Sequence, residues 1–167
     1  MKIDIEKSIS RKKLIYRKSV LDMFSYYFLV LCIPILLFYI IVSKNFSLNY
    51  KEIIFSIVIG IPFIWNLIGL KYIDELTYIG KIESQNRSEY LNGIKAQCKY
   101  EIVHDEVNLV IMKKDWGWDF SQAKELIIIF EGNKAYGNLT NLGRGDIRIP
   151  FFSYFNKIKL SKRKNYC

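Results

Sequence analysis

The apolar positions of this chain fall into three regimes. Residues 23–43 (MFSYYFLVLCIPILLFYIIVS) and 53–70 (IIFSIVIGIPFIWNLIGL) are two uncharged runs. From about residue 77 the apolar period drops to two, and after Pro150 it returns to helical spacing. As a helix, the first run reaches about 31 Å, and the second is just long enough to cross a hydrocarbon core of roughly 30 Å. The pattern therefore predicts a membrane α + β fold. It has transmembrane helices over 23–43 and 53–73, an external loop over 44–52 and a basic cytoplasmic segment over 1–22. Residues 74–167 are expected to form a small, mostly antiparallel cytoplasmic β-domain closed by a basic helix.

Inside that domain, alternation predicts strands over 77–84, 98–103, 107–113, 124–130, 134–142 and 146–149. Turn signals fall at Asp105 and Glu106, at Glu131-Gly132-Asn133 and at Gly143-Arg144-Gly145. The stretch 85–93 (QNRSEYLNG) reads as a polar turn, and Ile3 and Ile5, flanked by charges, read as an edge strand. Phe151, Phe152, Phe155, Ile158 and Leu160 recur at helical spacing, which predicts that this face packs on the sheet.

Charge sharpens the topology. The chain carries a formal +9, but residues 71–150 hold eleven basic and twelve acidic groups, so the excess sits in the tails. A nucleic-acid domain more often spreads its cations over one face of the fold, so no nucleic-acid partner is expected. Arg11, Lys12, Lys13, Arg17 and Lys18 precede the first run, whereas the loop holds only Lys44 and Lys51. Positive charge marks the cytoplasmic side, so both termini are expected inside a bacterial inner membrane crossed by a multi-pass protein. The first run begins too late, and lacks the small-residue site, for a secretory signal, so it is expected to stay as an anchor. Ser56 and Gly60, four apart, and Asn66 are the candidates for helix packing or interaction. Neither run contains a titratable acid or base, which argues against an ion pathway.

Chemistry is sparse. Cys32, Cys98 and Cys167 are scattered and fit a reducing compartment, with no metal-ligand spacing. The stretch DWGWDF over 115–120 puts Trp116, Trp118 and Phe120 on one face, candidates for contact with lipid or a partner. Asp115, Asp119 and His104 are the groups an enzyme would need to gather. No nucleophile elbow, phosphate loop or dinucleotide fingerprint accompanies them. The chain is therefore expected to be no enzyme and to need no cofactor or metal. The aromatics Phe151, Phe152 and Phe155, followed by Lys162, Arg163 and Lys164, also suit a helix lying on anionic lipid headgroups.

With the hairpin and β-domain before it, the segment DIRIPFFSYF over 146–155 resembles the YcxB-like group of bacterial membrane proteins. The resemblance implies a pleckstrin-homology-like cytoplasmic domain and brings no activity with it. The expected function is a non-catalytic integral membrane protein that presents its β-domain to a protein partner or to lipid. Its partners would be an anionic bilayer and a membrane protein or second copy. Two alternatives stand beside this reading. One is a small accessory or immunity-type subunit of a membrane complex, using Ser56, Gly60 and Asn66. The other is an enzyme whose site assembles only in three dimensions.

Overall fold

An antiparallel sheet dominates the fold, and its central strands have sequences that are apolar on both faces or alternate. The computed structural model describes residues 3–15, 50–118, 121–143, 146 and 148–162. It divides into two units: Met1–Lys2 with Tyr16–Trp65, and Ile3–Ile15 with Asn66–Cys167. The second unit holds β1 (Thr77–Lys81), β2 (Glu101–Glu106), β3 (Leu109–Trp118), β4 (Ser121–Glu131), β5 (Lys134–Leu142) and β6 (Arg148–Ile149). They form one antiparallel sheet in the order β1-β5-β4-β3-β2, with β6 also paired to β5. The β4–β5 turn is closed by Gly132, whose φ of +54° suits a residue without a Cβ.

Strand β4 explains the layering. Leu126 to Phe130 is a continuous apolar run, the mark of a strand covered on both sides, and all five residues are buried. On one face Val110, Met112, Leu126, Ile128, Phe130, Ala135 and Leu139 form the core. The helix α3 (Arg87–Cys98), which carries the chain from β1 to β2, covers them with Leu91, Ile94 and Cys98. Leu160 of α4 (Ser153–Ser161) joins the same cluster. The other face buries Leu109, Ile127, Ile129 and Leu142. Here the segment following α2 (Tyr50–Tyr72) runs across β5: the Asn138 amide donates to the carbonyls of Ile73 at 3.0 Å and Glu75 at 2.9 Å.

The N-terminal residues Ile3–Ile15 belong to this unit, not to a separate tail. The expected edge strand at Ile3 and Ile5 is instead the start of a helix, α1 (Ile5–Arg11). Asp4 caps it by accepting from the Lys7 N–H, and Lys12 ends it in the left-handed region at φ 50°. The chain then pairs Lys13 with Glu75 in an isolated bridge and buries Leu14. The predicted turn over 85–93 is likewise a helix. Leu91, Ile94 and Cys98 repeat at three- and four-residue spacing, and burial of that face outweighs the Asn92-Gly93 turn signal.

The membrane hairpin is corrected. Among the described residues, no helix is long and apolar enough to cross a membrane. The first expected span, 23–43, lies outside the described residues. The second falls on α2, but from Asn66 onward that helix belongs to the β unit. Gly69 is buried there, and a Cβ on it would collide with the Pro150 carbonyl oxygen. Tyr72 packs on Tyr154 with ring centroids 5.3 Å apart. The remaining residues 50–65 would reach about 24 Å, short of the roughly 30 Å needed. An uncharged run marks a helix with an apolar environment, and here its last turns find that environment in protein. The multi-pass inner-membrane placement, with both termini cytoplasmic, needs two spans, and among the described residues no helix is long and apolar enough for one.

Candidate functional site

Lys124 and Glu125 are neighbours on β4, so their side chains leave opposite faces of the sheet. Both are buried. Glu125 joins a closed polar network around Arg148, which β6 delivers to the sheet. The guanidinium Nη1 donates to Asp74 Oδ1 at 2.9 Å and Nη2 to Glu125 Oε2 at 2.8 Å. Asn138 Oδ1 accepts from Arg148 at 3.4 Å and from the Thr140 hydroxyl at 2.8 Å. One cation thus meets two carboxylates, and each carboxylate comes from a different part of the chain. The network fastens the α2–β1 junction to β4 and β6.

The opposite face carries cations instead. Lys114, Lys124 and Asn141 stand directly across from one another on β3, β4 and β5, so they share one face in a cross-strand row. The helix α4 packs on β5 and β1 and meets this row at its β5 end. Asn156 Nδ2 donates to Asn141 Oδ1 at 2.9 Å, and Leu160 reaches the β5 backbone near Gly137. Burial, then the charges of Lys159 and Lys114, lower the Lys124 ammonium from its usual 10.5 to about 8. One turn before Asn156, Ser153 is buried on the same side of α4, and its hydroxyl has no hydrogen-bond partner among the described residues.

This packing reverses the face predicted for the last helix. Ser153, Asn156 and Leu160 are inward, while Phe152 and Phe155 are exposed and Phe151 is half-buried. The helix is rotated by the Asn156–Asn141 bond and by the room that Gly137 leaves for Leu160 and Ile79. Its opposite side is held by Lys157, which pairs with Glu75 at 2.7 Å and lies over the Tyr72 ring at 4.7 Å. Lys162 is the exposed C-cap of this helix; Arg163 and Lys164 lie outside the described residues.

The other candidates are dispersed. Arg11 and Lys12 end α1 and are exposed, as is Lys13 at its bridge, whereas Arg17 and Lys18 lie outside the described residues. Trp116 and Trp118 belong to β3, with side chains outside the described residues. His104 stands opposite Ile111. Asp115 is four residues further along β3, roughly 13 Å away at strand rise. The two do not meet, and Asp119 lies outside the described residues. His104 contacts Glu106 instead, at 3.0 Å on an exposed strand. Among the described residues, no group of three or more His, Cys, Asp or Glu could hold a metal. Cys98, left as a scattered thiol by the sequence, is disulfide-bonded.

On α2, the side chains of Ser56 and Asn66 lie outside the described residues, and a Cβ on Gly60 would meet nothing within 4 Å. The close backbone approach is at Gly69, which lies off the Ser56–Gly60 face. The same helix exposes Val58, Ile61, Ile64, Leu67 and Ile68, the first three about 60% accessible. Sequence reasoning passed over this stripe because a uniformly apolar run has no contrasting face to mark it. Comparison with known proteins adds no relative: no family model, no curated protein and no solved structure matches the chain. None of these comparisons bears on the resemblance to the YcxB-like group.

Proposed function

We propose that this chain is a non-catalytic interaction protein that docks onto a protein partner through α2. The observation that carries this reading is the exposed stripe of Val58, Ile61, Ile64 and Ile68. Val58, Ile61 and Ile68 share a spacing with the half-buried Trp65 that is the anchor pattern of a helix seated in an apolar groove. Exposed aliphatics in a contiguous row mark contact surfaces, because each buried side chain contributes about 1.5–3 kcal/mol. Within the β unit, contacts at Gly69 and Tyr72 hold the last turns of that helix.

The test is the assembly state of the full chain isolated from its source, measured by light scattering after mild cross-linking. Ile61→Asp with Ile64→Asp should release a free chain, while the urea midpoint of the β unit stays put. A wild-type chain that is already free, or a variant that assembles as before, defeats the reading.

A further inference from the structure

We propose that the outer edge of β2 is a docking site for an extended segment of a partner protein, one that alternates basic with aliphatic residues and adds to the sheet as a further strand. β2 ends the sheet: among the described residues it pairs with β3 alone, and all six of its residues are exposed. The opposite end is closed, since β1 buries Ile79 and Gly80 and α4 packs against it. An edge strand carries a row of backbone N–H and C=O groups that an added strand can pair.

The register says what such a strand must carry. Ile102 and Asp105 stand opposite Met112 and Val110, so they share the face covered by α3, and a bulge at Val103 spaces them. Glu101, His104 and Glu106 stand opposite Lys113, Ile111 and Leu109 and share the other face. On the α3 face Arg87 engages Asp105, and its Nη2 also donates to the Glu106 carbonyl at 2.7 Å, so the acid there already meets a cation. That face offers Ile102, with Val103 beside it 59% exposed. The other face is acidic. Glu106 lies 3.0 Å from His104, and Lys113, opposite Glu101, is engaged by Asp146 at 2.8 Å. Basic side chains of an added strand would meet Glu101 and Glu106, and the alternate aliphatic ones would meet Ile102. The same charges argue against a second copy as the occupant. Two β2 strands side by side would bring like carboxylates together, and charge on an edge is a device that keeps copies from pairing.

The full chain is titrated at pH 7 and constant ionic strength into a fluorescent, end-capped heptapeptide of alternating lysine and valine, and anisotropy reads the binding. Saturable binding with a Kd below about 100 μM is expected. Methylating alternate backbone nitrogens of the peptide keeps its charge, removes its strand donors and should abolish binding, as should glutamate in place of lysine. Glu101→Lys with Glu106→Lys should weaken binding at least about tenfold. The isosteric pair Glu101→Gln with Glu106→Gln should weaken it about threefold. Glu83→Lys, just beyond β1 at the far end of the sheet, should leave it unchanged, and so should Ile61→Asp with Ile64→Asp on α2. No saturable binding up to about 1 mM, a methylated peptide that binds like its parent, or an equal loss in Glu83→Lys overturns the site. A wild-type chain that sediments as a dimer and sheds the peptide as it dimerises would give the edge to a second copy and overturn it as well.

Discussion

The two faces of the sheet treat buried charge in opposite ways. Beneath the N-terminal segment, Arg148 is 8% exposed and held by Asp74 and Glu125 within 2.9 Å. On the other face Lys124 is as deep, and burial first, then the charges of Lys159 and Lys114, lower its pKa. The depth is equal and the sheet is shared, so burial alone does not separate them. What differs is the surroundings: Arg148 meets two carboxylates, whereas burial and two neighbouring cations lower the pKa of Lys124. A cation whose counter-ions come from two separate stretches of chain is part of the architecture.

The sharpest way to break this contrast is to remove Arg148. Arg148→Met leaves Glu125 buried without its cation and should destabilise the β unit by about 3–5 kcal/mol. Urea denaturation followed by circular dichroism reads it. Adding Glu125→Leu to the same chain should restore more than half of the loss, because the penalty lies in the stranded carboxylate and not in the missing contact. A cost below about 1 kcal/mol for the single variant would place Arg148 outside the architecture.

The opposite face should respond with the opposite sign. Lys124→Met removes a buried charge and should stabilise the chain at pH 7 by about 1–3 kcal/mol. The pH dependence follows from the same shift. With its pKa lowered from 10.5 to about 8, Lys124 binds fewer protons in the folded than in the unfolded chain between those values. Wild-type stability should therefore climb from pH 8 towards 10.5, and the climb should vanish in Lys124→Met. Tyr100 limits the window. Its burial pushes the phenol above the usual range, so ionisation of the unfolded chain pulls stability down above about pH 10. Chemical denaturation of both proteins between pH 7 and 10 checks the sign; parallel curves would remove Lys124 as the cause.

Sequence pattern was a good guide to the strands and a poor one to what covers them. Residues 134–142 were read as a strand with the boundaries it has, because alternation and the Glu131-Gly132-Asn133 turn act locally. The hairpin before it was found, but its turn is at Val107 and Asn108, two residues late, since the acidic pair Asp105 and Glu106 lies on an exposed strand that tolerates charge. The run 53–70 reads as a span because apolar composition does not reveal whether lipid or protein will bury it. Its partner there, the Pro150 carbonyl, is some eighty residues away in sequence. Neither buried charge cluster was legible. Arg148, Asp74 and Glu125 look like ordinary surface residues until β6 pairs with β5, and Lys114 and Lys124 become neighbours only through the β3–β4 register. The face of α4 was misread for the same reason. Phenylalanines point inward by default, and tertiary contacts, the bond from Asn156 to Asn141 and the packing of Leu160 at Gly137, turn them out.

The smallest effect separates the two faces most finely, because it compares the same side chain in both. Ser8, fully buried in α1, donates to the Asp4 carbonyl at 2.6 Å and accepts from the Ile15 N–H at 2.8 Å. Ser8→Ala leaves that N–H stranded and should cost about 1–3 kcal/mol. Ser153 is equally buried, and its hydroxyl has no partner among the described residues. Ser153→Ala should thus change the stability of the chain by less than about 0.5 kcal/mol. Urea denaturation of this pair of variants reads both values. A Ser153→Ala chain that loses stability as Ser8→Ala does would show that its hydroxyl serves the fold and that both faces of the sheet are closed.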